Sequence, residues 1–279
     1  VLGAVSLLAL LGTSCDSFFD KEPMDKLVPS SFFKTEADLA LYSNSFYQRM
    51  MPSALTVTTD DEMADYTSKN QSPMFIAGAY TSVNEGSWNW TDLRNINYFL
   101  EQCNNPDIPE EARNHYIGIA RYFRATFYFG MVQRFGDVPW YSKTLSTDDP
   151  DLYKPRDPRV NVMDSVLADL NFACTNIRDT KDETASIITR QVALAMKSRI
   201  CLFEGTFRKY HTELGLQNSV NAWLKEAADA ARSVMDNKKY AVYDTGNPEK
   251  DYRTLFTSEN PVSEEVMLAV VYNNALRRW

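Results

Sequence analysis

Gly86-Ser87-Trp88-Asn89-Trp90 sets two indoles on either side of an amide within one short run. Indoles offer flat apolar faces, and an amide offers both a donor and an acceptor. Those groups together suit a ring with hydroxyls at its edge and C–H bonds on its face, which is the chemistry of a pyranose. Two tryptophans around one asparagine do not both fit a core. The bland alternative is that one of them packs under the loop as a staple. Tyr80 and Tyr66, on the same stretch, are secondary aromatics of the same kind. Trp88, Asn89, Trp90 and Tyr80 are therefore the candidate ligand-binding residues.

Other chemistry is harder to build. Asp60, Asp61, Glu62 and Asp65 form an acidic cluster. A hydrolytic carboxylate pair must stand across the scissile bond, and a calcium loop needs spacing that is missing here. A solvated, helix-capping loop is the better reading. Arg121, Arg124 and Arg134 could bind an anion, but pairing with Asp or Glu and stacking on rings are favoured. Only two histidines exist, His115 and His211, and both read as surface residues. There is no glycine-rich phosphate loop and no G-x-S-x-G elbow. Cys103, Cys174 and Cys201 form no C-x-x-C pair and read as small buried hydrophobes inside helices. No catalytic residue, metal or cofactor is expected.

The elements that must position the loop are helical. Thr35 and Asp38 make a capping-box start, and the helix then runs to about Met51, with Pro52 closing it. Residues 53–90 are loop-like, which at that length marks a functional surface. From Thr91 a helix shows Leu93, Ile96, Asn97, Phe99 and Leu100 on one apolar-leaning face. Pro109, Glu110 and Glu111 then open a long helix. It is apolar on two sides and so is sandwiched, with Gly136 as its cap. Val162 to Ala173 and Ile188 to Leu202 mark the next helical pair, and a further helix starts near Trp223. Ala120, Arg124, Ala125, Phe127 and Phe129 superpose on Ala193, Lys197, Ser198, Ile200 and Leu202 at a constant offset of 73. Two plain tetratricopeptide units would occupy ~68 residues, so the offset suits such hairpins enlarged by insertions. The expected fold is all-α: tetratricopeptide-like hairpins in a curved array, with long irregular loops and a few short strands. Glu264 to Val271 reads as one of those strands.

The 279 residues carry a formal charge of −8, which argues against a nucleic-acid partner. Ten glycines are too few for a collagen, a propeller or a turn-rich sandwich. Val1 to Leu11 is an uncharged apolar run, too short to span a bilayer, which takes about 20 residues, and right for a secretory h-region. Gly12, Thr13 and Ser14 lead to Cys15, which makes Cys15 the candidate lipidation site. The expected organisation is a signal peptide over 1–14, clipped at its start, a lipidated tether over 15–35 and a helical domain over 36–279. The tether is expected to dock through Phe18, Phe19, Phe32 and Phe33. The third hairpin shows a first helix and no clear second one, which reads as a truncated carboxy-terminal end.

Ala120–Tyr141, ARYFRATFYFGMVQRFGDVPWY, resembles the signature helix and turn of SusD/RagB-type proteins. CDSFFDKEP (Cys15–Pro23), RDPRVNVMDSVLADLNFA (Arg156–Ala173) and ITRQVALAMKSRICLFEG (Ile188–Gly205) are similar to family segments in the same order. The resemblance covers nearly all of 15–272. It implies a surface-exposed lipoprotein of the Bacteroidetes outer membrane, held by a lipid anchor. Such a protein binds oligosaccharides, delivers them to a SusC-type TonB-dependent transporter, and is not an enzyme. The alternative is a peptide-binding adaptor or peptide-capturing nutrient lipoprotein, since tetratricopeptide arrays often cradle peptides.

Overall fold

Thr35 opens the first helix by a reciprocal cap with Asp38. The Asp38 amide donates to Thr35 Oγ1 at 3.2 Å, and the Thr35 amide donates to Asp38 Oδ2 at 2.8 Å. Two amides without helical partners are thereby satisfied. The computed structural model describes residues 32–52, 74, 76–84 and 86–271. Across them run seven α-helices: α1 Glu36–Met50, α2 Thr91–Gln102, α3 Glu110–Phe135, α4 Arg159–Asn176, α5 Arg190–Tyr210, α6 Val220–Asn237 and α7 Pro248–Thr257. Pro109 stands just before the first turn of α3, and Glu110 and Glu111 lie within that turn, at the positive end of the helix dipole. Gly136 ends the helix at φ 69°, a conformation that suits glycine.

The helices pack in series, α2 on α3, α3 on α4, α4 on α5 and α5 on α6, while α1 covers α3. The long α3 is thus sandwiched, as its two apolar faces require. One core gathers Phe33, Phe46, Phe99, Phe123 and Ile188 around the α1–α3 end. A second gathers Tyr128, Val162, Val166, Leu170, Ile200 and Trp223 further along. Glycine lets two of these pairs close up. A Cβ on Gly118 would lie 2.8 Å from Ile177 Cγ1, and one on Gly205 would lie 2.7 Å from Leu224 Cδ2.

The 73-residue offset has a physical counterpart. Arg124 on α3 grips Asp169 on α4 through two bonds of 2.7 and 2.8 Å. Lys197, its equivalent on α5, reaches Glu226 on α6 at 2.5 Å. Each second helix of a hairpin is pinned by a basic residue to the first helix of the next. A buried carboxylate is tolerable when its charge is matched in this way. Glu204, fully buried on α5, is likewise held between Arg159 and Arg208 at 2.6 and 2.7 Å.

Several expectations need correction. Residues 264–271 form no strand. The Ala269 amide finds a single loop carbonyl, that of Ala185, whose φ of 50° cannot continue a ladder. Among the described residues the only β pairing is the isolated bridge between Val138 and Asp157. Helix α7 was not expected. His115 is not a surface residue: it is 9% exposed, and its Nδ1 accepts the Arg178 amide at 3.2 Å. His211 is exposed, beside Glu213. Cys103, Cys174 and Cys201 are buried and free, and burial pushes their thiols up to about 11, 11 and 12. Of the four phenylalanines expected to dock, Phe33 is buried against Tyr42, Tyr98 and Phe99. The proposed signal peptide, Cys15, Phe18, Phe19, the acidic cluster at 60–65 and Tyr66 lie outside the described residues.

Candidate functional site

A cleft of about 420 Å³ opens between the start of α2 and the loop that follows α3. Trp88, Trp90, Thr91, Leu93, Arg94 and Asn97 form one wall, and Pro139, Tyr141, Lys143, Leu145 and Leu152 form the other. The two indoles singled out from the sequence therefore share one concave surface. Their surroundings differ. Trp88 is 39% exposed and meets Trp90 and Phe135 edge-on, at centroid distances of 5.2 and 4.9 Å. Trp90 is half-buried and packs on Phe127, Tyr128 and Tyr141. One indole stands at the cleft mouth, and the other packs against the core as the staple reading expected.

Asn89 and Tyr80 stand apart from the cleft walls. Asn89 Oδ1 accepts the Thr91 amide at 2.9 Å, shaping the turn into α2. The Tyr80 hydroxyl accepts from Arg134 Nη2 at 3.0 Å, near the end of α3. The arginines of the α3 helix are occupied as the structural reading had it. Arg124 grips Asp169, Arg121 lies 4.2 Å from the Phe172 centroid, and Arg134 contacts Tyr80.

The second wall is an irregular loop, so something must hold its shape. One face of α2 does so through residues 94, 97 and 101, which fall one or two turns apart. Asn97, only 1% exposed, donates from Nδ2 to the carbonyls of Tyr141 and Lys143 at 2.9 and 3.2 Å. Its Oδ1 accepts from Arg124 at 3.3 Å, so the amide is satisfied on both sides. Arg94 Nη1 donates to the Leu145 carbonyl. Glu101 accepts the Thr144 amide and hydroxyl, both at 2.6 Å. From α3, the Tyr128 hydroxyl accepts the Tyr141 amide at 2.6 Å, and its ring stacks on Trp140 at 4.2 Å. None of these partners was identified from the sequence. Asn97 carried a usable signal, being an amide in an apolar stripe that needs partners once buried.

Charge at the mouth is largely balanced. Lys143 Nζ sits 3.0 Å from both Asp149 and Asp151. The Asp151 amide and then the Lys143 ammonium hold the Asp149 carboxyl below its ordinary range. Burial alone would raise the Asp157 carboxyl, but the Lys154 ammonium and the Trp140 amide outweigh it and keep it low. Burial and then Asp151 push the Tyr141 phenol up. Among the described residues no three His, Cys, Asp or Glu gather as a metal site.

The family model described as "Starch-binding associating with outer membrane" matches residues 17–202, two thirds of the sequence. The chain belongs to the SusD-like family. Its relatives include the SusD-like protein P25 of Formosa agariphila, 24% identical over 269 residues, which cover 86% of this chain and 47% of that one. A SusD-like protein of Bacteroides ovatus is 24% identical over 194 residues, 64% of this chain and 35% of that one. Among solved structures, a SusD-like protein of Bacteroides fragilis aligns with a TM-score of 0.68 at 22% identity, covering 90% of this chain and 48% of that one. At that identity the likeness shows the SusD-like fold alone. The chain spans less than half the length of these relatives.

Proposed function

We propose that this protein captures oligosaccharides in the cleft between α2 and the loop after α3. It would act as a binding protein rather than an enzyme. The observation that carries this reading is the shared cleft: Trp88 and Trp90 line the same concavity, opposite backbone and polar groups of Tyr141 and Lys143. A part-exposed indole beside hydrogen-bonding groups fits the apolar face and hydroxyl edge of a pyranose. Family membership supports the same ligand class. Glycoside hydrolysis needs one carboxyl raised so that it can donate a proton. Asp149 and Asp157, both near the cleft, are instead held low by cations and amides. Attachment to the outer membrane would fall to a lipid on Cys15, in keeping with the outer-membrane association of the family. From there the helical domain over 36–279 would pass its ligand to a SusC-type TonB-dependent transporter.

Titration of the full chain with an oligosaccharide panel and a peptide panel tests the reading. Binding is expected to glycans, with Trp88→Ala losing tenfold or more in affinity at unchanged helical circular dichroism. Tight peptide binding, or glycan affinity indifferent to Trp88→Ala, would overturn it.

A further inference from the structure

We infer that the cleft selects glycans bearing an anionic group, a carboxylate or a sulfate ester, and that Arg94 and Arg156 are the residues that read it. The inference rests on the glycan-capture reading above and adds the charge class of the sugar.

Arg49, Arg124, Arg159, Arg178 and Arg208 all hold carboxylates at 2.6–2.8 Å. In a chain with net charge −8 such pairing is easily met. Arg94 and Arg156 depart from it, as do Arg113, Arg190, Arg199, Arg232 and Arg253, but of these Arg94 and Arg156 adjoin the cleft and its indole. Both are exposed, and no carboxylate among the described residues lies within ion-pair distance of either. Each uses one nitrogen on backbone carbonyls. Arg94 Nη1 donates to Leu145, and Arg156 Nη1 makes long contacts of 3.5 Å to Phe135 and Asp137. Asp137 meets Arg156 through its carbonyl, and its Oδ1 accepts the Arg159 amide at the start of α4.

Both guanidiniums adjoin the aromatic residues of the cleft. Arg94 is part of the cleft wall. Arg156 lies over the Trp88 ring, 4.8 Å from its centroid. A guanidinium resting on an indole keeps its N–H groups directed outward in its own plane, where they match the two oxygens of a carboxylate or sulfate. The stacked position also limits the rotamers lost on binding, which favours a fixed fork over a mobile lysine. Lys143, the other cation lining the cleft, is already committed to Asp149 and Asp151. Those two acids face the same mouth, so any attraction for an anion must come from Arg94 and Arg156. The mean field of the chain would repel an anion, which makes local recognition the only source of a preference.

The test uses the full chain at low ionic strength and three sets of tetrasaccharides: uronate-containing, sulfated and neutral. One or both charged sets are expected to bind about tenfold more tightly than the neutral set. That margin should shrink as salt is raised. Arg94→Gln and Arg156→Gln should each remove most of it, weakening the charged sets by a larger factor than the neutral set. Arg232→Gln, on the exposed side of α6, removes the same charge elsewhere and should leave the margin intact. A preference for one charged set names the group as carboxylate or sulfate. Equal binding of neutral and charged sets overturns this inference while glycan capture survives. So does a margin that responds to Arg232→Gln as strongly as to the cleft variants. Binding by none of the three sets overturns both.

Discussion

The Tyr141 amide donates to the Tyr128 hydroxyl at 2.6 Å, joining the middle of the second cleft wall to the core of the longest helix. Tyr128 is fully buried, and its oxygen also lies 3.3 and 3.4 Å from the carbonyls of Pro139 and Tyr141. Tyr128→Phe would strand these loop groups without their buried partner. A loss of about 1–3 kcal/mol in unfolding free energy is expected. Urea unfolding gives the loss, and faster hydrogen exchange at the Tyr141 amide would locate it.

Trp88 and Trp90 should separate by readout. Trp90 packs on Phe127, Tyr128 and Tyr141, so Trp90→Ala is expected to cost on the order of 2 kcal/mol or more. Trp88→Ala removes a more exposed ring and should cost clearly less while abolishing glycan contact. Thermal unfolding and glycan titration, run on both single variants, give the comparison. Equal destabilisation by the two would contradict the division of labour.

His115 should make stability depend on pH. Burial and then the Arg178 guanidinium push its pKa down to about 4 from an ordinary 6.5, against the opposing pull of Glu111 and Glu36. The neutral ring is what accepts the Arg178 amide. Above pH 6.5 this contribution is complete. As pH falls from 6.5 to about 4, the unfolded chain takes up a proton that the folded chain refuses, and stability falls. The limit is about 3 kcal/mol. Urea midpoints at pH 7, 5.5 and 4 should drop more steeply for the natural chain than for His115→Asn.

Two glycines in helices should respond oppositely to alanine. A Cβ on Gly205 would sit 2.7 Å from Leu224 Cδ2 and 3.2 Å from the Leu224 backbone nitrogen. Gly205→Ala must push α5 and α6 apart or shift that leucine, at a cost of about 1–3 kcal/mol. Gly130, on α3, has nothing within 4 Å of its built Cβ. Gly130→Ala should stabilise by up to about 1 kcal/mol through helix propensity. Chemical denaturation of both variants decides the signs.

Helices α1 to α6 could be read from the chain because each carries its own local evidence. Thr35 and Asp38 announce a start, Gly136 announces a stop, and the repeat of Ala120 and Arg124 at Ala193 and Lys197 announces a stacked series. Helix α7 has a start signal in Pro248, Glu249 and Asp251, but Tyr252 and Phe256 stay exposed and leave no apolar stripe directed at a core, so periodicity does not reveal it. The strand expected at 264–271 followed β-branched composition, which does not supply a neighbouring strand. His115 was misplaced because its burial depends on Arg178, distant in sequence. The cleft was half legible. Trp88 and Trp90 stood out by type, whereas Arg94, Asn97 and Tyr141 acquire their roles only once α2 meets the loop after α3.

The contacts that hold that loop have one property in common. Asn97, Arg94, Glu101, Tyr128, Lys154 and Asp157 all grasp main-chain amides or carbonyls between Trp140 and Leu145. Main-chain atoms are the same whatever amino acid occupies a position. Side chains along this rim can therefore be exchanged by mutation while its contour persists. A lineage of such proteins could change what its rim touches one residue at a time, with the helical stack beneath left untouched.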